Sequence, residues 1–99
     1  MKFFVVDPSK QRNITMLLRG AGYHHEVNRR TGAASFVRSL SGDFPRFHIY
    51  LNEFPDGWEI NLHLDQKRPT YGGSHAHSGE YDGEVVEQET ARLKQFLRA

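Results

Sequence analysis

Histidine is the residue whose number and spacing point to chemistry in this sequence. The 99 residues include six His. His63 and Asp65 lie two positions apart in a segment with the alternation of a β-strand, so their side chains leave the same face. His48 occupies the corresponding face of the preceding segment. Imidazole and carboxylate groups therefore converge on one face of a predicted hairpin.

These donors predict a divalent metal site. Imidazole nitrogen and carboxylate oxygen are the ligands that zinc takes when no thiolate is present, and the chain has no Cys. His48, His63 and Asp65 would come from the sheet, and His75 or His77 from a Gly-rich segment at 72–80. Three ligands would leave a coordination position for water, so any catalysis would be metal-assisted hydrolysis.

A structural interpretation of the same residues stays open. Histidines on a sheet face often serve as surface residues or as hydrogen-bonding partners, and Asp65 would then pair with Arg46 or His48. Two nearby serines, Ser74 and Ser78, do not occupy the strand-to-helix turn that a serine nucleophile needs.

The register of the hairpin around 54–57 decides between these interpretations. A four-residue loop at 54–57 would place His48 opposite His63, whereas a two-residue loop at 56–57 would pair His48 with Asp65. A three-residue loop, which the Pro-Asp-Gly turn favours, would put the two histidines on opposite faces. It would also separate Ile60 from Ile49, and we therefore favour a register that keeps the apolar residues on one face.

The surrounding pattern predicts an α+β fold with the order β-α-β-β-β-β-α. Residues 2–6 form a strand, and a helix over about 8–20 begins with Asp7 as cap and Pro8 in its first turn. Alternating segments at 23–27, 34–40, 47–52 and 58–65 supply four more strands. The last helix covers about 83–98, capped by Asp82, with an apolar stripe formed by Val85, Val86, Leu93, Phe96 and Leu97.

We expect a four- to five-stranded antiparallel or mixed sheet with both helices on its apolar face. The histidines would lie on the other face. Residues 66–82 are predicted to be a long loop that is rich in His and Gly, and its length exceeds that of ordinary connections.

Three segments of the second half resemble those of a family of small hypothetical proteins from uncultured bacterial lineages. The first begins at Arg46 (RFH), the second at Asn61 (NLHLDQK) and the third at His77 (HSGEY). No activity is assigned to that family, so the resemblance implies no role for any residue.

Nucleic-acid binding is the alternative function. Arg29, Arg30, Arg38 and Arg46 lie on or beside strands that also carry aromatic residues, an arrangement that suits phosphate contacts and base stacking. Residues 1–50 contain eight Lys or Arg against three acidic residues, but residues 51–99 contain five against nine. Because the halves compensate each other, charge alone does not favour this function over a structural or interaction role, which would include a homodimer.

Length and composition limit the remaining choices. A chain of 99 residues with 37% hydrophobic and 25% charged residues is typical of a single globular domain over 1–99. Its longest N-terminal apolar run, at 3–6, is too short for a membrane span or a signal peptide. We therefore expect a cytoplasmic protein without a membrane partner.

Overall fold

A computed structural model describes residues 1–27, 30–32, 34–66, 79–80 and 83–99. It has the predicted α+β class and the predicted order of elements. The strands are β1 (Lys2–Val6), β2 (His24–Val27), β3 (Ala34–Ser39), β4 (Arg46–Phe54), β5 (Gly57–Asp65) and the two-residue β6 (Gly79–Glu80). The helices are α1 (Ile14–Gly20) and α2 (Glu84–Leu97).

One sheet contains all the described strands. Its order is β1-β5-β4-β3-β2, and every pairing is antiparallel. β6 pairs with the end of β5, where Asp65 faces Gly79. The segment 66–82, which we predicted to be loop throughout, therefore contributes a short strand beside the candidate site.

Alternation on the two central strands builds the core. The apolar face of β4 carries Phe47 and Ile49, which lie opposite Leu64 and Leu62 of β5. All four are buried, together with residues from both helices: Ile14, Leu18, Val86, Leu93 and Leu97. Burial of each such side chain stabilises the fold by about 1.5–3 kcal/mol. Because the helices cover these side chains, both helices pack on this one face of the sheet.

The hairpin between β4 and β5 has the register that places His48 opposite His63. Phe54 pairs with Gly57, so only Pro55 and Asp56 lie in the turn. Gly57 is required because a Cβ atom there would lie 2.0 Å from the carbonyl oxygen of Val5 on β1. Core burial and this close approach outweigh the three-residue loop that the turn sequence favours.

The start of α1 differs from its prediction. The helix begins at Ile14, and its cap is Asn13, whose Oδ1 accepts a hydrogen bond from the backbone N–H of Met16. Asp7 is instead buried in the preceding turn, where its Oδ2 accepts from the N–H of Arg12. Lys10 has a φ of +54°, which interrupts the helical path that Asp7 and Pro8 would otherwise begin.

α2 matches its predicted range closely, but two details were wrong. Its N-cap is Gly83, which offers no side-chain hydrogen bond, and not Asp82, which lies outside the described residues. Val85 and Phe96 are 44% and 43% exposed, so they do not belong to the buried stripe. Neither helix is long and apolar enough, among the described residues, to cross a membrane.

Candidate metal centre

The face of the sheet opposite the helices carries the candidate site. His48 on β4 lies directly opposite His63 on β5, and Asp65 follows His63 by two positions. Because neighbouring core residues such as Phe47 and Leu64 point to the helices, these three side chains point away from them. Strand register alone thus brings the predicted sheet ligands together.

The carboxylate of Asp65 lies between the two imidazoles. Its Oδ2 is 3.0 Å from His48 Nδ1, and its Oδ1 is 2.9 Å from His63 Nε2. The candidate ligand atoms of the three residues all lie within 4.8 Å of one another. A tetrahedral zinc ion with bonds of about 2.0–2.2 Å needs ligand atoms roughly 3.4 Å apart, so small ring movements would suffice to accommodate one.

This cluster is largely withdrawn from water. The side chains of His48, His63 and Asp65 are 12%, 6% and 19% exposed. Burial by itself would raise the pKa of Asp65, but hydrogen bonds from both histidines and their positive charge when protonated hold this pKa well below its ordinary value. The carboxylate is therefore kept ionised, as a metal ligand must be.

Ser35 on β3 contacts the second ring nitrogen of His48, Nε2. Its Oγ lies 2.8 Å from His48 Nε2 and 3.5 Å from the carbonyl oxygen of Glu26, and the residue is 7% exposed. His48 Nδ1 donates to the ionised carboxylate of Asp65, and it would have to give up that proton to ligate a metal ion. The Ser35 hydroxyl would then accept from His48 Nε2–H and hold the Nδ1 lone pair towards the ion. Outer partners of this kind orient metal-bound histidines and fix their tautomer.

The connection from Ser35 through His48 to Asp65 also has the order of a serine-protease triad. However, Ser35 lies within β3, whose backbone is paired with β2 on one side and β4 on the other. Its backbone N–H is therefore engaged in the sheet and unavailable to stabilise an oxyanion, which acyl transfer requires. We interpret Ser35 as a positioning residue for His48.

Tyr50 packs against both imidazole rings. Its ring centroid is 4.6 Å from that of His48 and 5.4 Å from that of His63, with interplanar angles of 25° and 19°. The two imidazole centroids are 5.0 Å apart. This packing restricts the ring orientations, so the site has little freedom to lose when it takes a ligand.

Arg46 lies at the edge of the cluster. Its Nε is 3.5 Å from Asp65 Oδ2, and its Nη1 is 3.4 Å from Glu26 Oε2. The guanidinium also lies 4.8 Å from the ring centroid of Phe44. Asp65 therefore has both of the partners that the structural interpretation proposed, Arg46 and His48, and His63 in addition.

The structure describes three of the other predicted site residues: Arg30, Arg38 and Arg46. His75 and His77 lie outside the described residues, as does Arg29. Arg30 is exposed in the connection that follows β2. Arg38 pairs with Glu89 and lies opposite Phe47, on the helix side of the sheet, whereas Arg46 lies on the other face. Arg38 and Arg46, the two of these arginines that lie on described strands, thus do not share one basic surface.

Two contributors, Ser35 and Tyr50, were not predicted as parts of the metal site. Ser35 reaches His48 only because β3 and β4 pair in the observed register, with Ser35 opposite Tyr50. The connection between these strands carries no spacing signal that fixes this register. Tyr50 could have been found, because it shares a strand face with His48 two positions away.

Comparisons with models of known protein families, with curated proteins and with solved structures yield no match for this chain. The resemblance to small hypothetical proteins therefore stays an expectation, and the site has to be interpreted from its own geometry.

Proposed function

We propose that this protein binds a divalent metal ion, zinc by the chemistry of its donors, through His48, His63 and Asp65. The observation that carries the proposal is the convergence of two imidazole nitrogens, at 3.0 and 2.9 Å, on the two oxygens of one ionised carboxylate. Nitrogen and oxygen ligands in this number suit zinc among the common divalent ions.

Burial and outer contacts support the same function. The cluster is mostly shielded from water, and Ser35 provides the second hydrogen bond that a ligating histidine normally makes. Three protein ligands leave at least one coordination position, for which His75 and His77 remain the predicted occupants. With that position open, metal-assisted hydrolysis is the class of reaction that the site would favour. A cytoplasmic location belongs to the same proposal.

The experiment uses tag-free protein that has been treated with a chelator and then titrated with Zn²⁺. Calorimetry should give one ion per chain, and zinc at a hundredfold excess over its Kd should raise the free energy of unfolding by about 2.7 kcal/mol. His63→Ala should remove both effects because it removes one of three ligands. His24→Ala is the matched control, since His24 is an exposed histidine on β2 of the same sheet, separated from β4 by β3.

The outcomes separate the metal site from a purely structural cluster. If zinc neither binds nor stabilises the wild-type protein, Asp65 and its histidines serve packing alone and the proposal is wrong. If His63→Ala and His24→Ala lower the zinc affinity equally, the ion binds elsewhere. A combined His75→Ala and His77→Ala variant tests the fourth position, because it should weaken zinc binding only if one of these residues is a ligand.

A further inference from the structure

Arg46 has an unusual position for a cation beside a candidate metal site. It approaches Asp65, the one carboxylate of the cluster, and its side chain is 22% exposed. The Nε atom is buried, and at 3.5 Å from Asp65 Oδ2 it makes a charge contact longer than a good hydrogen bond. Arg46 is thus attracted to Asp65 without being tightly bonded to it.

The guanidinium of Arg46 also contacts two groups outside the cluster, Glu26 and Phe44. Glu26 Oε2 lies 3.4 Å from Nη1, and the guanidinium carbon lies over the Phe44 ring, 4.8 Å from its centroid. Glu26 is on β2 and Arg46 on β4, so their ion pair spans the intervening strand β3. The side chain of Glu26 is 44% exposed, which leaves it free to follow the guanidinium over a short distance.

A metal ion and Arg46 would compete for the same carboxylate. Asp65 would have to direct an oxygen at the ion, and two positive charges a few ångströms apart repel each other strongly in a partly buried site. The arginine is permanently charged, so this repulsion is not relieved by loss of a proton. Binding would require the guanidinium to withdraw towards Glu26 and Phe44.

We infer that Arg46 is a built-in competitor that keeps the metal site weak and exchangeable, with Glu26 as the partner that receives its charge when an ion occupies Asp65. The inference rests on the proposed function and deepens it. It assigns the site to an ion that is taken up and released, as in a carrier or a sensor, and not to a permanent structural zinc.

The test is a double-mutant cycle on zinc affinity, measured by calorimetry with Arg46→Gln, Glu26→Gln and the combined variant. Arg46→Gln should tighten the Kd for Zn²⁺ by about tenfold, because it removes the competing charge. Glu26→Gln should weaken binding by about threefold, since Arg46 then stays with Asp65. In the Arg46→Gln background, Glu26→Gln should have much less effect, because the coupling passes through the arginine.

Two further variants control for other causes. Arg19→Gln removes an exposed positive charge from α1, which packs on the opposite face of the sheet, and should leave the Kd unchanged within about twofold because solvent and salt screen that charge. Arg46→Lys keeps the charge and should stay within about threefold of wild type. If Arg46→Gln unfolds, as judged by circular dichroism, the Glu26→Gln and Arg46→Lys arms still test the inference.

Failure of this inference differs from failure of the proposed function. Zinc binding by the wild-type protein with an unchanged or weaker Kd in Arg46→Gln would overturn the role of Arg46 and leave the metal site in place. No zinc binding by any of the variants would overturn the metal site itself. Equal effects of Glu26→Gln in both backgrounds would also contradict the proposed exchange.

Discussion

Two carboxylates, the partly buried Asp65 and the buried Glu89, lie on opposite sides of this sheet and differ in the groups that surround them. Asp65 lies between two imidazoles on the face without helices. Glu89 of α2 lies on the helix side, where Tyr23 donates to it at 2.6 Å and Arg92 donates to both of its oxygens at 2.7 and 2.8 Å. Arg38 completes this second cluster with a contact of 3.4 Å.

The comparison shows why only one of the two clusters is a candidate for ligand binding. Guanidinium groups have no lone pair to offer, and the Tyr23 phenol keeps its proton because burial and the hydrogen bond to Glu89 raise its pKa far above the ordinary value. Imidazoles carry a lone pair when neutral and can exchange a proton for a metal ion. This difference supports a stabilising role for the Glu89 cluster and favours the Asp65 cluster as the site of the proposed metal binding.

The largest expected effect tests the stabilising role of Glu89. Glu89→Ala should lower the free energy of unfolding by about 3 kcal/mol, because it leaves two arginines and a buried phenol without their common acceptor. Urea denaturation measures this loss. Glu87→Ala on the exposed side of the same helix is the control and should cost only a few tenths of a kcal/mol.

The same variant also tests the separation of the two clusters. Glu89→Ala should leave the zinc affinity of the folded protein unchanged, because the Asp65 cluster lies across the sheet. A loss of less than about 1 kcal/mol in stability, or a marked change in zinc affinity, would contradict the assignment.

A smaller effect concerns Tyr23. Tyr23→Phe should cost about 2 kcal/mol near neutral pH, since a buried hydrogen bond to a charged acceptor is lost. The raised pKa of the folded-state phenol has a further consequence. The unfolded chain loses this proton near the ordinary value of 10.0, so the stability that is fully present below pH 10 declines as the pH rises above it.

Above pH 10, the free energy of unfolding should therefore fall less steeply for Tyr23→Phe than for the wild-type protein. The difference between the two free energies should shrink by at most about 1.4 kcal/mol per pH unit. Arg38, Arg92 and Glu89 surround residue 23 in both proteins, so their own contributions to the pH dependence largely cancel in the difference. Parallel pH curves for the two proteins would refute the assignment of this titration to Tyr23.

The smallest expected effect concerns Ser35. Ser35→Ala should weaken zinc binding by about tenfold, because His48 loses the partner that fixes its ring and tautomer. Ser35→Thr keeps the hydroxyl and should restore most of the affinity. A loss of thermal stability with no change in zinc Kd would mean that Ser35 serves packing and does not position a ligand.

Much of the fold could be predicted because hydrophobic alternation and helical spacing are local signals. The pairs Ile49–Leu62 and Phe47–Leu64 follow from apolar residues that must share one face, and the same pairs put His48 opposite His63. The cap of α1 could not be predicted in this way. Asp7 suits a helix start in isolation, but its carboxylate is engaged by the N–H of Arg12 in a buried turn.

The residues of the site could be predicted only where the strand register could be predicted. His48, His63 and Asp65 lie on one hairpin whose pairing is set by core burial. Ser35 and Glu26 belong to strands whose register with β4 depends on longer connections, and nothing in their own spacing marks them. Glu89 was not predicted because a charged residue on a helix is ordinarily exposed. Its burial is stable only because Tyr23, Arg38 and Arg92 compensate its charge.

The order of residues along the chain thus determined which side chains share a face. Successive side chains of a strand point to opposite faces, and the apolar ones must lie on the face that the helices cover. Tertiary structure decided which atoms meet across that face. Contacts between strands distant in sequence decide the partners of the His48 ring, the second partner of Arg46 and the depth at which Asp65 lies. These properties make a row of polar residues a candidate binding site.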